Sequence, residues 1–185
     1  MGSNQDSYAG NAKSTLRRAM LQLQQSGCLI RAMSRFFSTP SFPEGFGPDY
    51  VNAAFCLDWP DTPRALLNQL HVIEAQFGRE RVQRWGQRTL DLDLLAFEDR
   101  VVPDAEHVQA WIDLPLAEQM ENTPDQLLLP HPRLQDRAFV LVPLLDIAPD
   151  WRHPLLGKTV QEMHDALPPE DIASVIPLVN PGNQA

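Results

Sequence analysis

Leu16, Ala19, Met20 and Leu23 recur at the spacing of one helix face and Gly27 follows as a stop, which predicts an amphipathic helix over residues 10 to 26. Residues 28 to 38 read as extended chain, with Phe36 and Phe37 late in the run. From Tyr50 to Leu57 the residues alternate, with Val51, Ala53, Phe55 and Leu57 on one face and Tyr50, Asn52, Ala54 and Cys56 on the other. That period predicts one half-buried strand. Thr62 followed by Pro63 reads as a cap with proline at the first helical position. Leu66, Leu70, Ile73 and Phe77 then supply the apolar stripe before Gly78 stops the helix. Thr89 to Phe97 predicts a second strand. Thr159-Val160-Gln161-Glu162 is a capping box opening a short helix that Pro168 and Pro169 end, and the tail to Ala185 reads as irregular chain. Helices and strands in this order predict a single α+β domain with helices packed on an antiparallel or mixed sheet.

Two stretches resist this reading. Thr39 to Asp49 holds three prolines and two glycines, which exclude helix or central strand, yet it also carries Phe42 and Phe46. Aromatic residues in such a loop suggest a binding loop. Between Asp104 and Gln126 six acidic residues accompany Trp111, Ile112, Leu114 and Leu116, so this part is expected to be a surface excursion with one short helix.

The length of 185 residues suits one domain with a core of its own, and 43% hydrophobic with 21% charged residues is ordinary for a globular chain. No apolar run approaches the ~20 residues that span a bilayer, and the first residues carry no basic-then-apolar signal pattern, so the cytoplasm is the expected location. Cys28 and Cys56 form no metal-ligand spacing and read as small core residues. A net charge of −9 argues against general nucleic-acid binding. The charge is uneven, however. Arg79, Arg81, Arg84 and Arg88 fall close together, whereas no Lys or Arg lies between Arg100 and Arg133. Such a cluster suits a small polyanion held locally by an acidic protein.

The densest chemistry lies in Arg88-Thr89-Leu90-Asp91-Leu92-Asp93-Leu94. On an extended segment Asp91 and Asp93 share a face while Leu90, Leu92 and Leu94 point to the core. Two neighbouring carboxylates repel, so the pair is either a solvated acidic edge or a cation site, and Mg²⁺ takes carboxylate oxygens while leaving positions for phosphates. The arginines with Trp85 just upstream favour the second alternative, since phosphoryl transfer needs cations around the moving group. His131 between two prolines, Arg137 and Glu74 are weaker candidates, each open to a structural reading. There is no glycine-rich P-loop.

Several segments, in order, resemble the 6-hydroxymethyl-7,8-dihydropterin pyrophosphokinases. They are Gly2-Ser3-Asn4, Thr39-Pro40, Asp49 to Ala54, Glu74 with Gly78-Arg79, Arg84 to Asp93, and Pro130 to Arg133 with Arg137-Ala138-Phe139. The resemblance implies a ferredoxin-like α+β sandwich that transfers diphosphate from ATP to a reduced pterin in folate biosynthesis. It also implies two Mg²⁺ ions on Asp91 and Asp93, with Arg81 and Arg88 completing the catalytic set. Thr39, Pro40, Phe42, Tyr50, Asn52 and Phe139 resemble the pterin contacts, and Glu74, Arg81, Trp85, Arg88, His131 and Arg137 those of ATP. The expected organisation is a catalytic domain over residues 1–167, with an acidic insertion at 104–126 and a tail from 168, acting as a monomer on small molecules without nucleic acid or membrane. Relatives of this kind carry a core strand before the Gly-Ser-Asn turn, and that first strand is expected to be missing or truncated here.

Overall fold

The computed structural model describes residues 1–41, 47–78 and 89–179. A two-residue strand, β1 (Gly2–Ser3), precedes helix α1 (Ala12–Gln25), whose first turn is capped by the Asn11 side chain accepting from Ser14 N–H. Gly27, at φ 91°, closes that helix in the left-handed conformation that glycine adopts without strain. Strands β2 (Leu29–Met33), β3 (Phe37–Thr39), β4 (Tyr50–Asn52) and β5 (Phe55–Asp58) lead to α2 (Pro63–Gln76), capped by the Thr62 hydroxyl. Helices α3 (Ala105–Asp113), α4 (Leu116–Glu121), α5 (Ala138–Leu145), α6 (Val160–Asp165) and α7 (Pro169–Ala173) follow, then β6 (Ile176–Pro177).

Two antiparallel sheets result, one ordered β1-β4-β3-β6 and the other a β2-β5 pair. Leu16, Ala19 and Leu23 of α1 meet Leu66, Leu70, Ile73 and Phe77 of α2 in one core that also takes Leu90 and Leu92. Each such aliphatic side chain removed from water contributes roughly 1.5–3 kcal/mol, so the two amphipathic stripes fasten the helices to the sheet. A second cluster joins α5 and α6 through Leu141, Val160 and Met163, and a third joins Phe37, Ala138 and Val175. The α+β class with helices on antiparallel sheets is therefore as expected. Among the described residues no helix is long and apolar enough to cross a membrane.

Several expected elements take a different form. Residues 50–57 are two strands in separate sheets. Between them Ala53 N–H pairs with Met1 C=O, and Ala54 exchanges bonds with Ser34 through both the Ser34 hydroxyl and its backbone N–H. Two small buried side chains let the backbone cross the core there, while the period of two continues and hides the break. Residues 28–38 likewise divide, between β2 and β3. The strand expected from Thr89 to Phe97 alternates in burial only as far as Asp93, and its ladder is a single bridge, Gly2 with Asp91. Gly2 and Ser3, expected in a turn after an absent strand, are themselves strand. The acidic excursion holds two helices instead of one, and its neck is closed by reciprocal bonds between Val102 and Leu129. Pro168 and Pro169 do not end α6, which stops at Asp165. They open α7, where a missing N–H costs nothing, and the tail then adds β6 to β3.

Candidate active site

Asp91 sits where its backbone exchanges two 2.8 Å hydrogen bonds with Gly2. Leu90 and Leu92 are 0% and 3% exposed while Asp91 is half-buried and Asp93 exposed, so from Leu90 to Asp93 the two aspartates share the face opposite the leucines, with Asp91 Oδ1 itself shut off from solvent. Glu74, beside the buried Ile73 on α2, is only 1% exposed. Its Oε1 accepts from Leu92 N–H at 2.7 Å, between the two aspartates. Asp93, Asp91 and Glu74 all lie near the Met1 amine. Burial lowers that amine's pKa, and each of the three carboxylates opposes the fall. The expected ATP contact Glu74 is thus a buried side chain beneath the carboxylate segment.

His131 follows directly from the neck of the acidic insertion, and its N–H donates to Leu95 C=O at 2.8 Å. Its Nδ1 accepts from Arg133 N–H at 3.1 Å, so the neutral ring carries its proton on Nε2. Burial pushes its pKa down to about 4, Asp93 works against the fall, and Arg137 and Arg133 add to it. Those influences bring Asp93, His131, Arg137 and Arg133 into one neighbourhood. The Arg137 guanidinium lies 5.6 Å from the centre of the Phe139 ring, which is 40% exposed at the start of α5.

The expected pterin contacts gather on the sheet against which α5 packs. Asn52 and Thr39 are both buried, and Asn52 Nδ2 donates to Thr39 Oγ1 at 2.8 Å, which orients the amide. Tyr50 is the register partner of Thr39, and Pro40 is exposed at the end of β3. Gly2 joins the two halves of the site, being paired with Asn52 on one side and bridged to Asp91 on the other. A Cβ on Gly2 would stand 2.6 Å from Asn52 Oδ1, so only glycine leaves room for that amide. Phe42, Arg79, Arg81, Arg84, Trp85 and Arg88 lie outside the described residues.

Three participants were not singled out from the chain. Ser3 Oγ donates to Thr89 C=O at 2.6 Å and ties β1 to the start of the carboxylate segment. Gly2 and Arg133 are the others, both inside motifs whose neighbours drew the attention.

Among the described residues no three side chains of the His, Cys, Asp and Glu types gather as a ready metal cage. An outward pair of carboxylates is still a suitable donor set for Mg²⁺, which takes one or two carboxylates and fills its remaining positions with water and phosphate oxygens.

A family model described as 7,8-dihydro-6-hydroxymethylpterin-pyrophosphokinase matches residues 1–149. The chain is 41% identical over 130 residues to a Synechocystis protein named 2-amino-4-hydroxy-6-hydroxymethyldihydropteridine pyrophosphokinase, a match covering 70% of this chain and 53% of that protein. Proteins of the same name from Methylorubrum extorquens and Pseudomonas aeruginosa are 36% and 38% identical over 149 and 144 residues. Those matches cover 80% and 78% of this chain and 80% and 75% of the relatives. With more than half of its length matched, this chain belongs to the 7,8-dihydro-6-hydroxymethylpterin-pyrophosphokinase family.

Proposed function

We propose that the chain transfers the terminal diphosphate of ATP to the hydroxymethyl oxygen of 6-hydroxymethyl-7,8-dihydropterin, releasing AMP and the pterin diphosphate for folate synthesis. The observation that carries this reading is the same-face pair Asp91 and Asp93, with His131 within electrostatic reach of Asp93, in a chain of this family.

Asp91 and Asp93 would hold Mg²⁺, two ions in the full site, and the metal would supply charge neutralisation and alignment for in-line displacement. His131 stays neutral near pH 7 and offers Nε2–H as a donor to a phosphate oxygen or the adenine, while Arg137 adds a positive charge. Arg81 and Arg88 neutralise charge that develops on the transferred group, and Trp85 packs against the nucleotide. The pterin ring lies between Phe139 and Phe42, gaining burial and stacking, with Thr39, Pro40, Tyr50 and Asn52 along its edge. Asn52 Nδ2 is engaged by Thr39, so its Oδ1 is the atom suited to accept from a pterin N–H. The hydroxymethyl oxygen attacks the β-phosphorus, the bond from that phosphorus to the α-phosphate oxygen breaks, and AMP leaves. The alcohol becomes acidic only as it bonds to phosphorus, and no dedicated base is assigned.

The catalytic unit of this reading comprises residues 1–167, works as a monomer, and acts in the cytoplasm, where ATP and Mg²⁺ are at hand. An incubation with ATP, Mg²⁺ and the reduced pterin tests it. AMP should form only when all three are present, and AMP formation indifferent to the pterin would contradict the assignment.

A further inference from the structure

We infer that Glu74 is a positioning residue, which holds the Asp91–Asp93 segment in register by accepting Leu92 N–H, and that its acceptor oxygen matters more than its charge. The inference rests on the reading of Asp91 and Asp93 as the Mg²⁺ holders and deepens it.

In an extended segment successive N–H groups point to opposite edges. Asp91 spends its own N–H and C=O on Gly2, so that edge belongs to β1. Leu92 N–H therefore faces the other edge, and the acceptor found there is a side chain from α2, Glu74 Oε1 at 2.7 Å. The segment that carries both carboxylates is clamped between a strand and a helix, with Leu90 and Leu92 anchoring it from below. The next backbone tie in chain order is Leu95 C=O accepting from His131 N–H.

The composition of α2 makes the arrangement specific. Leu66, Leu70 and Ile73 are the buried neighbours of Glu74 on this helix, and an apolar residue of similar size would satisfy the packing. A carboxylate there is costly to bury unless it takes a hydrogen bond, and the donor it takes lies midway between the two aspartates. Its burial places it beneath the segment. A shift of even ~1 Å in such a segment matters, because productive alignment of phosphate and metal tolerates little misplacement.

Two variants test this, Glu74→Gln, which keeps an acceptor oxygen, and Glu74→Leu, which does not. Binding is read with Mn²⁺ as the probe, by its electron paramagnetic resonance in the presence of a non-hydrolysable ATP analogue. Exchange of the Leu92 amide is read by NMR. The Leu variant should lose about 10–100-fold in Mn²⁺ affinity and its Leu92 amide should exchange faster, while pterin affinity holds. The Gln variant should lose about threefold, with Leu92 still protected, since an amide oxygen is a weaker acceptor than a carboxylate. A folded Leu variant with wild-type Mn²⁺ affinity overturns the inference. So does a Gln variant as weak in Mn²⁺ binding as the Leu variant, or, should the Leu variant not fold, a Gln variant down tenfold or more. Wild-type protein that binds no Mn²⁺ in the ternary mixture sinks the metal reading and this inference together, whereas the other failures sink this inference alone.

Discussion

Two acidic stretches of this chain use the same residue types to opposite ends. Around Asp91 and Asp93 the backbone is tied to β1 through Gly2, to α2 through Glu74, and to the His131 turn through Leu95, so the segment that carries both carboxylates is held from both of its edges. In the insertion the acids serve their own helices. Asp104 caps α3 by accepting from His107 N–H and pairs with the His107 ring, Asp113 accepts from Gln109, and Glu118 sits in the first turn of α4. Acidic composition therefore says little by itself. What differs is the backbone beneath the carboxylates, a helix end that the acid itself caps in one stretch and an extended segment bonded to a strand and a helix in the other.

Neutralisation should affect the two stretches very differently. Asp91→Asn or Asp93→Asn should lower turnover by about 10²-fold or more with pterin binding retained, as loss of one preorganised electrostatic group does elsewhere. Glu118→Gln should leave turnover at the wild-type value. Steady-state assays of AMP release read both, and Asn variants with unimpaired turnover would remove the pair from the metal site.

His131 lets the site be separated from the insertion by pH. Its folded pKa of about 4 lies below the ordinary value of 6.5, so the unfolded chain binds the proton first. Stability should be fully present above pH ~6.5 and fall as pH drops toward about 4, by at most roughly 3 kcal/mol. Urea unfolding across that range reads the slope, which should flatten in His131→Asn. A slope unchanged by that substitution would show that His131 is not buried as a neutral ring.

Removal of the insertion gives a smaller effect. Val102 and Leu129 already face each other in a reciprocal bridge, so a short turn can replace residues 104–126 between them. Turnover should stay within a few-fold, and the loss of α3, with Val108 as its fully buried residue, should cost about 1–3 kcal/mol of stability. Collapse of turnover in a folded shortened chain would mean that the insertion helps to build the site. Smallest of all is a titration. Hydrogen bonding to Asp104 raises the pKa of the exposed His107, and its NMR midpoint should fall back toward the ordinary imidazole value in Asp104→Asn with activity unchanged.

Local chemistry was legible along the chain wherever neighbours in sequence are also neighbours in space. The caps at Thr62 and Thr159, the stripes of α1 and α2, and the shared face of Asp91 and Asp93 all depend on residues a few positions apart. His131 and Arg137 were legible as separate candidates, and their link to Asp93 came only through resemblance, because Asp93 lies far from both along the chain. Partnerships across the chain left no periodic trace. Gly2 meets Asp91, Phe37 meets Val175, and Glu74 meets Leu92, and none of those pairs alters a pattern of two or 3.6. Glu74 was visible as a motif residue, yet its burial beneath Leu92 depends on how α2 docks. The break at Ala53 and Ala54 was hidden for a related reason, since alternation reports which face a side chain occupies and not which strand its backbone joins.

Which phosphorus–oxygen bond breaks is read by phosphorus NMR of the wild-type reaction with ATP, Mg²⁺ and 6-hydroxymethyl-7,8-dihydropterin. AMP should appear together with a pterin carrying two phosphorus atoms still coupled to each other; ADP with a pterin monophosphate would contradict the account.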